Sequence, residues 1–354
     1  MFTKHTPVVV GWGLDRIAVN IIISQHLPRK QWERLRNGNP YDVDGTHVEV
    51  SGVYQEKEAF SRSAQLVIYD KRRKTPQGET IYSAVVGARA CAAFGAAAVM
   101  ATIIKAARTM ISPTARIEAN YLELYVDMQS TQRPSKAIFK QSSSKGRKRV
   151  FKDRSDVINP EGDTLQSSTW GDQGRRSDNI CAVYYEKPRL QTGDWRIAKW
   201  RQSGQYLEGQ TVRRLEFRVW GAGPLNQARI SPDLTTLAAG GLNSLWDYLT
   251  SHWLRILSST MRGHKRGQNH RMWKIVQGQR PLTTQPLLPR EFLAPSSQHL
   301  DQSLIRAAGY LRSFAGLSDS DNDKALAEGV ISDAAERLLD IISRQGAAPE
   351  PADE

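Results

Sequence analysis

Two stretches of this chain alternate with period two, and that pattern limits the fold more than any other feature. In residues 120–127, Leu122, Leu124 and Val126 fall on one face, and Tyr121, Glu123, Tyr125 and Asp127 on the other. In residues 212–220, Leu215, Phe217 and Val219 oppose Arg214, Glu216, Arg218 and Trp220. Each reads as a strand with one face for a core and one face of charge. Charged faces normally turn to water, but here aromatic rings stand between the charges, which suggests a lined cleft. The two polar faces are alike enough to be equivalent strands of a duplicated unit.

Further strands are expected at residues 8–10 and 14–23, either side of a Gly11-Trp12-Gly13 turn, and at 47–53, 64–70, 80–86 and 180–185. A short charged helix or turn fits residues 31–38. The run 90–110 reads as a helix, and its largely apolar part, 90–104, is too short and too alanine-rich to span a bilayer, so it is expected to be buried. Residues 188–209 read as a polar connection holding Trp195 and Trp200. From Ser231 the pattern becomes helical, with Ser231 and Pro232 as N-cap and first helical residue. Leu242, Leu245, Trp246, Leu249, Trp253, Ile256 and Leu257 follow as a core stripe. A basic cluster spans 262–274, a proline-rich linker 279–295, and amphipathic helices 300–314 and 325–344. The fold class expected is α+β: an antiparallel sheet carrying the motif strands, helices packed on it, and a helical C-terminal region. The expected division is a catalytic domain at 1–230, a helical region at 231–345 for DNA binding or oligomerisation, and a disordered tail at 346–354.

The formal net charge of +13 and a pI near 9.8 point to a polyanionic partner. Cys91 and Cys181 stand in unlike contexts, so no disulfide framework or paired-cysteine metal site is expected, and a reducing cytoplasm is the expected location. No long apolar run marks a signal peptide, and no membrane partner is expected. Arg16 stands where a dinucleotide-binding loop needs its third glycine. No H-x-H pair, HExxH motif or GxxxxGK[ST] loop is present, and neither His264 nor His270 has an Arg three residues on.

What is left is a tyrosine among carboxylates and cations. Residues 168–187 run from turn chemistry through Arg175, Arg176 and Ser177 into a β-prone segment ending Val183-Tyr184-Tyr185-Glu186-Lys187. A tyrosine phenol has a pKa of about 10, so it needs help to attack phosphate at neutral pH. A divalent cation held by carboxylates supplies that help, and Glu123, Asp127, Glu216 and Glu186 are the oxygen donors available for Mg²⁺ or Mn²⁺. Arg175, Arg176, Arg214 and Arg218 are suited to the phosphate oxygens, and Ser177 lies beside the first pair. Lys187 can offset phenolate or phosphate charge. Lys145, Arg147, Lys148 and Arg149 form a basic loop that suits a phosphate backbone.

The run Gly174-Arg175-Arg176-Ser177-Asp178, followed by Val183-Tyr184-Tyr185-Glu186-Lys187, resembles the signature of the replication-initiation factors of rolling-circle plasmids and filamentous phages, which some conjugative relaxases share. That family carries an earlier R-L-D-L-x-x-D strand. Leu122-Glu123-Leu124-Tyr125-Val126-Asp127 is similar, with Glu123 for the first Asp and Tyr121 for the Arg. A later R-x-E strand is matched by Arg214-Leu215-Glu216. The resemblance implies a site-specific nickase. A tyrosine attacks an origin phosphate, becomes linked to the 5′ end and frees a 3′-OH primer. It implies Tyr185 as the nucleophile, although strand alternation would put Tyr184 with Glu186. Origin DNA, single-stranded or in a hairpin, is the implied partner, and a host helicase and a second copy of the chain are candidates. The alternatives are a conjugative relaxase with the same chemistry and a DNA-binding protein that does not nick. Neutralising Lys145, Arg147, Lys148 and Arg149 together is expected to weaken binding to all DNA sequences and to flatten the salt dependence by up to about four contacts. An unchanged slope would leave the loop as solvated linker.

Overall fold

The computed structural model describes residues 7–37, 41–43, 46–51, 66–130, 139, 142–144, 149–153, 165–171, 179–187, 190, 194–258 and 267–282. Lys145, Arg147, Lys148, Arg175, Arg176, Ser177, the side chain of Arg149 and the helices expected at 300–314 and 325–344 lie outside the described residues. So do most of the proline-rich linker and the C-terminal tail.

Among the described residues, ten strands form one sheet. In chain order they are β1 (Val8–Ile23), β2 (Tyr41–Val43), β3 (Thr46–Ser51), β4 (Leu66–Lys74), β5 (Thr80–Val86) and β6 (Arg116–Gln129). After β7 (Ser142–Ser144), which lies outside this sheet, come β8 (Arg149–Asp153), β9 (Leu165–Gly171), β10 (Asn179–Glu186) and β11 (Val212–Trp220). The order across the sheet is β2-β3-β4-β5-β1-β6-β11-β10-β9-β8. The β3–β4 pair is parallel and every other pair is antiparallel. The fold is therefore α+β, as the alternation in residues 120–127 and 212–220 predicts. Those two stretches lie side by side as β6 and β11, with Asp127 opposite Arg214, Tyr125 opposite Glu216 and Glu123 opposite Arg218.

The core lies on the face holding Leu122, Leu124, Val126, Leu215, Phe217 and Val219, each nearly or fully buried. A helix, α1 (Arg29–Asn37), contributes Trp32 against Tyr82. The long apolar helix α2 (Ala88–Ala106) connects β5 to β6 across β1, which lies between them, and continues as a π-helical turn through Ile111. By length and composition Ala88–Ile111 could cross a membrane, but slightly more than half of its most apolar window is buried inside the protein, among residues such as Val99, Met100 and Ile103. The polar connection expected at 188–209 contains a helix, α3 (Trp195–Arg201), started by the Asp194 side chain accepting from the Arg196 N–H at 2.8 Å.

Beyond β11 the chain folds back on the core face through α4 (Leu242–Tyr248), a π-helical turn to Trp253, a short strand β12 (Leu254–Ile256) paired with β7, and α5 (Arg271–Gln277). The helical start comes later than Ser231 and Pro232 suggest. Asp233 caps it, its Oδ1 accepting from the N–H groups of Thr235 and Thr236. The expected stripe is core, with Trp246 and Trp253 edge-on to Phe217 at 5.5 and 6.2 Å, but Ile256 lies on the strand and not on a helix. Trp273 is buried and donates to the Thr250 carbonyl at 2.7 Å, which removes it from any DNA-facing surface.

Gly171, at the end of β9, has φ +82°, and a Cβ there would sit 2.3 Å from the Ile180 carbonyl oxygen and 3.3 Å from Trp253. Gly171→Ala is expected to destabilise the fold by about 2 kcal/mol or more, because the strained backbone and the clash act together. Chemical denaturation checks this, and wild-type stability would contradict the packing at β9–β10.

Candidate active site on the polar face of the sheet

Strand alternation carries Tyr121, Glu123, Tyr125 and Asp127 of β6 and Arg214, Glu216, Arg218 and Trp220 of β11 onto the face opposite the core. β10 adds Tyr185, whose register partner is Arg214. β1 adds Asp15 and Arg16. The register slips by one residue between Leu14 and Arg16, so a bulge turns both of these adjacent side chains to the same face. The Gly11-Trp12-Gly13 segment is not a turn but part of the continuous strand. Gly11 and Gly13 lie opposite Asp127 and Tyr125, and a Cβ on Gly11 would already stand 3.4 Å from Trp200. The absent side chain at Gly11 leaves room for α3, which lays Lys199 and Trp200 onto this face.

Arg214 is the centre of the arrangement. Its Nε and Nη2 donate to the two oxygens of Asp127 at 2.7 and 2.8 Å, its Nη1 lies 2.9 Å from Asp15, and its guanidinium stands 3.9 Å over the Tyr125 ring. Trp200 Nε1 donates to Asp127 Oδ2 at 2.9 Å, and Lys199 Nζ donates to the Tyr125 hydroxyl. Beside this lies a chain of polar contacts. The Tyr185 hydroxyl donates to Glu216 Oε2 at 3.1 Å, Arg218 grips Glu216 Oε1 at 2.6 Å, and the Tyr121 hydroxyl donates to Glu123 Oε2 at 2.8 Å. Arg16 Nε lies 3.9 Å from Glu123. Lys187 Nζ stands 5.1 Å over the Tyr185 ring.

Burial and charge shift these groups in opposite directions. Burial, then the negative charges of Glu216 and Asp15, push Glu123 up to about 8. Burial alone would raise Asp15 too, but Arg214 and Lys187 outweigh it and hold Asp15 below the usual carboxylate range. Burial and the Glu216 charge raise the Tyr185 phenol, with Arg214 opposing. Burial lowers the Lys187 ammonium, and Arg214 lowers it further. Burial also lowers Lys199, to about 8.

Asp15, Glu123 and Glu216 offer oxygens that all lie within 4.8 Å of one another. The donors are all carboxylate, and Glu123 is raised by burial and then by the like charges of Glu216 and Asp15, the second of which a divalent cation would offset. The cluster therefore fits Mg²⁺ or Mn²⁺. The expected ligand set changes accordingly. Glu123 and Glu216 come together, but Asp127 has both oxygens engaged by Arg214 and Trp200. Glu186 faces the other side of the sheet, 3.7 Å from the buried Arg213. The strand runs through to Glu186, so alternation separates it from Tyr185. Tyr184 shares the core side with it and packs on Phe139 at 4.7 Å. Sequence reasoning missed Asp15, Lys199 and Trp200. A signal existed for the last two in Asp194 as an N-cap residue, and the bulge that presents Asp15 has no comparable signature.

The sign of the Glu123 shift gives a stability test. Below its ordinary value near 4.5 the carboxyl is protonated both folded and unfolded. Between about 4.5 and about 8 only the fold keeps the proton, so stability falls progressively across that interval and the loss is complete once the pH has passed about 8. Glu123→Gln is expected to melt above wild type at about pH 9 and close to wild type at about pH 5. The same difference at both values would contradict the crowding.

No family model matches the chain, and no curated protein matches it. Among solved structures, a rolling circle replication initiator protein from Geobacillus stearothermophilus is similar at a TM-score of 0.38 and 14% identity, over 80% of this chain and 100% of that one. The likeness is distant and assigns no residue a role.

Proposed function

We propose that the protein is a rolling-circle replication initiator that nicks single-stranded origin DNA through Tyr185. The observation that carries the proposal is the Tyr185 hydroxyl donating to Glu216, in the same cluster as Asp15 and Glu123 and beside Arg214 and Lys187. The three motif blocks, in the order the family resemblance implies, supply residues to this one face.

In the proposed step the phenolic proton leaves along the hydrogen bond to Glu216 Oε2. The phenolate oxygen bonds to phosphorus, the P–O3′ bond breaks, and the departing 3′ oxygen takes a proton from water to become a primer hydroxyl, while Glu216 returns its own proton to solvent. The DNA is left attached to Tyr185 through its 5′ phosphate. A divalent cation bound by Asp15, Glu123 and Glu216 would offset the negative charge that raises the phenol and would polarise the phosphodiester. Lys187, with its proton affinity lowered by burial, sits where it can balance charge on the phenolate or phosphate. Arg218 holds Glu216 in orientation. Arg214 is committed to Asp15 and Asp127, so its part is to organise the face, while phosphate contacts fall to Lys187, Arg218 and the basic segments outside the described residues. A cytoplasmic location belongs to the same proposal, as does contact with a host helicase or a second copy of the chain. The conjugative relaxase differs only in what the nick serves.

The test is a covalent adduct on labelled single-stranded origin DNA, resolved on a denaturing gel, with Mg²⁺ or Mn²⁺. Tyr185→Phe is expected to abolish the adduct and leave the fold intact. Tyr184→Phe is expected to keep the adduct, since Tyr184 is buried on the core face. Loss in Tyr184→Phe alone would move the nucleophile. No adduct with the wild-type protein would leave the DNA-binding protein that does not nick.

A further inference from the structure

Trp220 closes β11 directly opposite Tyr121 on β6, both half-buried on the polar face, with ring centroids 5.4 Å apart. Two hydrogen bonds fix the pair. The Tyr121 hydroxyl donates to Glu123, and the N–H of Gly221 donates to the carbonyl of Asn120 at 2.8 Å, which ends the strand with Trp220 held against its neighbour. Tyr121 stands two residues from Glu123, about 7 Å along the strand. Arg218 lies between Trp220 and Glu216, and Arg16 approaches Glu123 from β1. Each of these arginine side chains keeps about a third of its surface exposed.

We propose that Trp220 and Tyr121 form a stacking platform for an unpaired base of single-stranded DNA, one end of a groove that delivers the neighbouring phosphate to the carboxylate cluster. Aromatic faces beside arginines, next to a site for phosphate chemistry, are what a flexible single strand binds. The rings take any base, and the cations take the backbone. Tyr121 links the two functions, because the ring that packs against Trp220 at an angle of 42° also carries the hydroxyl that holds Glu123. A duplex, whose bases are already stacked, gains nothing from such a platform. The inference rests on the proposed function for its substrate, but not on cleavage.

The experiment separates base contacts from phosphate contacts and from nicking. Full-length protein in EDTA is titrated with a fluorescent oligothymidylate of about twelve nucleotides, within the range that single-strand sites cover. A second titration uses an abasic strand of the same length and charge. Wild type is expected to prefer the oligothymidylate. Trp220→Leu, which keeps apolar bulk without a ring face, is expected to reduce that preference by about tenfold and leave affinity for the abasic strand unchanged. Trp220→Phe is expected to keep most of the preference, which guards against a general packing effect. An unchanged preference in Trp220→Leu would overturn the platform, as would equal weakening on both strands. Failure of the adduct assay with the base preference intact would remove the nickase reading and leave the platform standing.

Discussion

Arg214 lies buried in the middle of a ten-stranded sheet, bound to both oxygens of Asp127 and to Asp15 and stacked on Tyr125. Removing a guanidinium from water is costly, and only such a full set of partners makes the position tolerable. The cluster joins β1, β6 and β11 and receives Trp200 from α3 through Asp127. Taking away Arg214 alone would leave two carboxylates uncompensated, a loss on the order of 3–5 kcal/mol for a buried pair. Taking away all partners together for apolar residues need not destabilise at all. The network is better understood as fixing geometry than as a large net source of stability.

That geometry divides the carboxylates into two kinds. Asp127 is saturated by its partners and serves the fold. Asp15 is shared between Arg214 and the cluster. Glu216 is oriented by Arg218 on one oxygen and accepts from Tyr185 on the other. Glu123 has weaker compensation, a tyrosine hydroxyl and an arginine nitrogen at 3.9 Å, and it is the one pushed upward. Among the described residues, Asp127, Asp15 and Glu216 each have an arginine nitrogen within 2.9 Å, and the shortfall is greatest at Glu123. This imbalance makes the cluster suitable for a cation, and a tyrosine hydroxyl stands within hydrogen-bonding distance of one member.

Much of this face can be read in the sequence, because period two is a rigid rule along a regular strand. Glu123, Asp127, Arg214, Glu216 and Arg218 share a face as their spacing requires, and the apolar partners of those positions are core. The rule fails where the strand is irregular or where the third dimension decides. The bulge at Asp15 and Arg16 turns two adjacent residues the same way, which alternation forbids. Glu186 obeys alternation and for that reason lies on the far side from Tyr185, so a ligand set drawn from motif adjacency misplaces it. Asp127 is on the correct face, yet its partners across β11 and from α3 occupy it. The glycines at 11 and 13 look like punctuation in one dimension, but both lie within a continuous strand, and Gly11 leaves the gap into which Trp200 fits.

The central claim is that Asp15, Glu123 and Glu216, without Glu186, form the cation site that serves Tyr185. Mn²⁺ titration followed by electron paramagnetic resonance, with adduct formation measured on the same samples, tests it most directly on two isosteric variants. Asp15→Asn is expected to lose high-affinity Mn²⁺ binding and the covalent adduct together, while Glu186→Gln keeps both. Wild-type binding in Asp15→Asn, or loss of binding in Glu186→Gln, would contradict the site.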